Sequence, residues 1–160
     1  MTDAARQRIY LAIIASLLLV IAAMAYKFII AGSTKATADG RPAIILEPGE
    51  RALILREMRE FVAGLQRIDD ALSRGDMQGV AKASRALGAS KTHDAPAALM
   101  GKLPLEFKAL ALGVHSDFDT IAMDAESTGL PKRTLRQLSD VLQKCTACHE
   151  KYRLTDATLK

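Results

Sequence analysis

The chain contains no tryptophan, and aromatic residues fill only 4% of its 160 positions. Strands draw on aromatic and β-branched residues in period-two alternation. No such aromatic run occurs here, which argues against a β-sandwich or barrel. Cysteine occurs only at Cys145 and Cys148, so a closed zinc site would lack its second ligand pair. An excess of charge of one sign is also missing. The formal net charge is +4, and from position 50 onward 17 Lys and Arg face 15 Asp and Glu, a net of +2. No basic stripe carries interleaved aromatics, so nucleic acid is not an expected partner. No carboxylate pair, nucleophile–base pair or second metal site is visible, so the chain is not expected to be an enzyme in its own right.

What is present is concentrated near the end. The two cysteines stand in Cys145-Thr146-Ala147-Cys148-His149, followed by Glu150-Lys151-Tyr152-Arg153. Cys-x-x-Cys-His is the attachment signature of haem c. Each thiol adds across one haem vinyl group, and the imidazole ligates the iron. On a helix these three side chains fall at i, i+3 and i+4 and share one face. A redox dithiol would want a βαβ context, which is absent. A zinc site would want a second Cys or His pair, and His93 and His115 are remote and unpaired in sequence. A disulfide between i and i+3 of a helix would be strained. The expectation is one haem c, covalent through Cys145 and Cys148, with His149 on the iron.

Residues 9–31 form a run of 23 with a single charge, Lys27. At about 1.5 Å per residue this can cross a hydrocarbon core of about 30 Å. Arg6 and Arg8 precede it and suit a cytoplasmic start, although Lys27, Lys35 and Arg41 on the other side weaken that signal. Haem c is attached outside the cytoplasmic membrane, which places Cys145 in the periplasm. A cleaved signal peptide is the rival reading, with Ala23-Met24-Ala25 as a small-x-small site. Against it, the apolar run resumes with Phe28-Ile29-Ile30. We expect residues 1–31 to be a single-pass transmembrane anchor in a bacterial cytoplasmic membrane, meeting lipid through residues 9–31. Residues 32–49, punctuated by Gly32, Gly40, Pro42, Pro48 and Gly49, read as a periplasmic tether in which Ala43-Ile44-Ile45-Leu46 can dock.

Residues 50–160 read as one all-α domain. Four amphipathic segments are expected, at about 50–73, 76–89, 104–126 and 131–153. The first has the seam Ile54, Met58, Phe61, Leu65, Ile68 and Leu72; the last has Leu135, Leu138, Leu142, Cys145, His149 and Tyr152. The third carries Phe107, Leu110, Val114, Phe118, Ile121 and Ala125. Seams with this spacing, joined by short breaks, predict an antiparallel four-helix bundle. The haem motif then occupies the inner seam of the last helix.

Four such segments with Cys145, Cys148, His149, Tyr152 and Arg153 near the C-terminus resemble class II cytochromes c, the cytochrome c prime family and its low-spin, methionine-ligated relatives. The resemblance spans roughly residues 49–154, and its sharp part is the motif. The membrane segment departs from many soluble family members. The resemblance implies a bundle fold, covalent haem, His149 as proximal ligand, and Arg153 near that histidine or a propionate. Tyr152 is expected to pack against the haem or the bundle. Relatives of this kind often dimerise through their first two helices.

The sixth ligand follows from geometry. In an up-down-up-down bundle the start of the first helix lies beside the end of the last. Met58 is roughly 12 Å along the first helix and on its inner seam, and a thioether is a suitable ligand for haem iron. Met58 is therefore the expected distal ligand, with plain core packing as its other reading and His115 as the competing ligand. His115 lies one step off the third seam, and His93 falls in a loop. Lys144 and Lys151 flank the motif as a mild docking surface. The expected function is single-electron transfer with redox partners in the membrane or periplasm, alone or as a subunit of a membrane oxidoreductase. The alternative is five-coordinate iron that binds nitric oxide or carbon monoxide.

Overall fold

The structure, a computed structural model, describes residues 3–90 and 95–157. The chain is mostly helical. Helix α1 (Asp3–Ala25) runs on through a π-helical turn, Tyr26–Ala31, and none of the residues of this stretch is buried. It is one helix long and apolar enough to cross a membrane. Its Ser16 hydroxyl donates to the Ala12 carbonyl at 2.8 Å, so the polar group is satisfied within the helix.

Gly32 ends this helix with φ 64° and ψ −159°, a region open essentially to glycine alone. A Cβ here would stand 2.6 Å from the Lys102 carbonyl oxygen and the Pro104 nitrogen. The chain then forms β1 (Thr34–Lys35) and β2 (Ala43–Leu46). Strand β2 pairs antiparallel with β1 and parallel with β3 (Arg153–Asp156), in the register Ala43↔Arg153 to Leu46↔Asp156. Ile44 and Leu46 are fully buried, each contributing about 1.5–3 kcal/mol relative to exposure. The docking expected for residues 43–46 is therefore present, and it is the middle strand of a sheet. This small sheet is a departure from an all-α chain.

The remaining helices are α2 (Pro48–Ser73), α3 (Met77–Arg85), α4 (Ala97–Lys102), α5 (Leu105–Ser127) and α6 (Pro131–Lys151). Proline opens α2 and α6 at the first turn, where its missing N–H costs nothing. Asp76 caps α3 by accepting from the Gly79 N–H at 2.8 Å. The second segment is shorter than expected, and α4 is an additional element.

Helices α2, α3, α5 and α6 share one core in which Phe118, Ile68, Ile121, Val80 and Val141 are fully buried. Phe61 stacks on Phe118 at 5.8 Å between centroids. A second apolar cluster joins Ile44 and Leu46 to Ile54, Leu99, Leu103 and Phe107. Met58 touches both clusters.

The inner face of α6 differs from the expected seam by one residue. Thr134, Leu138 and Val141 are buried, whereas Leu135 and Leu142 are 55% and 48% exposed. One position rotates a helical side chain by about 100°. Two neighbouring seams existed in this sequence, and packing against α5 selects the one containing a threonine.

Candidate functional site

The shifted seam decides how the motif is presented. Cys145 and Cys148 continue the buried face of α6 and are half-buried. Cys145 packs against the first apolar cluster and Cys148 against the second. His149 lies one position further round the helix and is exposed, not on the inner seam as expected. All three nevertheless line one cleft of about 290 Å³ between α2, α5 and α6. Met58 lines the same cleft from α2. Ile54, Phe61, Phe107, Leu110 and Val114 provide its apolar walls.

Burial raises the pKa of Cys145, and burial together with the Cys145 charge raises that of Cys148. Both thiols are thus held in the neutral form, and both are free. Tyr152 caps α6 and is buried, packed edge-on against Phe107 at 5.6 Å and 79°. It forms part of the cleft wall, in line with the packing role expected for it.

The polar rim is one-sided. Arg41, Arg51, Lys144 and Arg153 line the cleft, and no carboxylate does among the described residues. Arg41 is held twice: Nη1 donates to the His149 backbone carbonyl at 3.1 Å, and Nη2 donates to Asp39 at 2.7 Å. Arg153 reaches the same Asp39 carboxylate at 3.5 Å. The Thr37 hydroxyl and the Arg41 guanidinium hold the Asp39 carboxyl well below the usual carboxylate range. Arg153 is not a helical residue as expected, since α6 ends at Lys151 and Arg153 opens β3. Its link to His149 runs through Asp39 and Arg41. The two lysines beside the motif are both paired with α5, Lys144 to Asp117 at 2.6 Å and Lys151 to Glu106.

His115 is a core residue, not one at the edge of the helices, and lies outside this cleft. Its Nδ1 is 2.6 Å from the Leu87 carbonyl and its Nε2 is 3.1 Å from Glu57. Burial opposes the charged imidazolium, but the bonds to Glu57 and Leu87 outweigh it and raise the pKa. His93 lies outside the described residues.

The donor set can be compared with what haem c requires. Two thiols three residues apart, an imidazole next to the second and a thioether on the facing helix line one apolar cleft with a cationic rim. Thiols, imidazole and thioether are donor types that haem c attachment and ligation use, and the arginines are of the sign that suits its propionates. The residues fit the group. Among the described residues there is no cluster of three or more His, Cys, Asp or Glu suited to a bare metal ion.

The contributions of Asp39, Arg41 and Arg51 were not visible in the sequence. Arg41 meets His149 across 108 positions, and the loop that carries it has no periodicity to betray the contact. No family model, curated protein or solved structure matches the chain.

Proposed function

We propose that this chain is a membrane-anchored c-type cytochrome that carries single electrons at the periplasmic face. Its haem would sit in the cleft of a four-helix bundle formed by α2, α3, α5 and α6. The observation that carries this reading is the convergence of Cys145, Cys148, His149 and Met58 on one apolar cleft. The resemblance of the motif and its position to class II cytochromes c supports it.

When bound, haem c supplies a reversible one-electron iron couple. Cys145 and Cys148 are the attachment points, on two apolar clusters that fix their positions. His149 would ligate the iron, and Arg41 restrains the backbone that carries it. Met58 offers the distal sulfur. Arg51, Arg41 and Arg153 would offset the charge of the propionates from the solvent-facing rim of the cleft. The apolar walls and a methionine ligand would together favour the reduced state. The α1 helix confines the domain to the membrane surface, where its partners are membrane or periplasmic redox proteins. A place as one subunit of a membrane oxidoreductase, or as a homodimer, is compatible with that role.

The test is an absorption spectrum of the oxidised and reduced protein, with and without carbon monoxide. Low-spin spectra that carbon monoxide leaves nearly unchanged are expected. High-spin iron that binds carbon monoxide readily would establish the gas-binding alternative instead.

A further inference from the structure

A second cavity of about 300 Å³ lies on the other side of Met58, between α2, α4 and α5. Ile54, Met58, Phe107 and Ala111 line both cavities and so form the partition between them. Its remaining apolar walls include Leu53, Leu99, Met100, Leu103 and Leu112. Its polar groups include Glu57 and His115, which face each other at 3.1 Å.

This cavity is fastened to the membrane helix. Lys108 lines it and donates through Nζ to the Ile29 carbonyl at 3.0 Å. A Cβ on Gly101 would stand 3.3 Å from the Phe28 ring. The Ser33 N–H donates to the Lys102 carbonyl at 2.7 Å. Helix α4 and the first turns of α5 form one wall of the cavity, and they are clamped to the last turns of the apolar helix. The cavity therefore stands within a side chain's reach of the point where the chain leaves the bilayer.

We propose that this cavity binds the head group of a membrane quinone. An apolar slot at the membrane surface selects a lipid-soluble molecule over a water-soluble one. His115 is satisfied by Leu87 and Glu57, and one oxygen of the Glu57 carboxylate is taken by it; the other is an acceptor for a hydroxyl of the reduced ring, which an acyl chain cannot supply. The partition places such a ring one side chain from the cleft of Cys145 and His149, where a redox-active ligand has a purpose. That last argument rests on the cytochrome reading; the binding itself does not.

The absence of tryptophan gives a clean reporter. Leu112 is 46% exposed at this cavity, and Leu135 is 55% exposed on α6. Full-length Leu112→Trp and Leu135→Trp proteins in phospholipid vesicles are titrated with a short-tailed benzoquinol kept reduced. Saturable quenching is expected for Leu112→Trp and not for Leu135→Trp. Glu57→Gln in the Leu112→Trp background should weaken the binding about fivefold or more. No saturable quenching, or equal displacement by the same alkyl tail without its ring, overturns the proposal. The haem spectrum of the same samples separates the two readings. Quenching without covalent haem sinks the cytochrome and leaves the quinone site, and haem without quenching does the reverse.

Discussion

Met58 faces two cavities and touches two apolar clusters, so its sulfur stands at the centre of the account. Unlike the flanking Ile54 and Phe61, it is only half-buried. A core methionine replaced by alanine costs about 2–5 kcal/mol, and the half-burial here places the loss toward the lower end. The spectroscopic effect is the sharper one. Met58→Ala should convert low-spin iron to a high-spin form that takes up carbon monoxide. An unchanged spectrum would assign the distal position to another group. That Cys145 and Cys148 share one cleft was legible because a spacing of three on a helix brings two side chains to one face. The rim was not, because Asp39, Arg41 and Arg51 are brought to the cleft by tertiary contacts that leave no local pattern. The place of His149 beside the two cysteines was legible, but its exposed position was not.

The helices were readable because period and punctuation agreed. Gly75-Asp76, Pro104 and Gly129-Leu130-Pro131 mark breaks that the structure keeps. The sheet was hidden because its strands are two to four residues long and its central pairing joins positions 43–46 to 153–156. The register of α6 was misread because Leu135 and Leu142 are apolar but exposed, while Thr134 is polar but buried. At this scale two tests apply. Gly32→Ala would force a side chain into a glycine-only conformation and against the backbone of the α4–α5 junction. A loss of about 1–3 kcal/mol or more in unfolding free energy is expected, measured by denaturant titration of the detergent-solubilised protein. The second concerns the tie between α2 and α5. His115 has a folded pKa above its ordinary value of 6.5. Its pairing with Glu57 therefore stabilises fully below that value and is lost as pH rises through the folded pKa. Thermal melts should show the protein losing stability as pH rises above His115's ordinary value of 6.5. Glu57→Gln should flatten that dependence, and an equal slope in the variant would remove His115 as its source.

For the molecule as a whole, the segment between helix and domain is more a joint than a tether. Lys27 donates to the Gly32 carbonyl at 2.5 Å, Ile45 to the Ser33 carbonyl at 2.8 Å, and Lys108 to the end of the apolar helix. The backbone of this segment is thus engaged with the sheet and with the α4–α5 junction. On the proposed reading, the domain meets its partners by diffusion in the membrane plane. Both halves of that account, covalent haem and a retained helix, are read by one number. It is the intact mass of the protein purified from membranes of cells with haem c maturation. The expected mass is that of a chain still carrying α1 plus one haem. A chain without haem, or one whose mass begins near Tyr26, would contradict it.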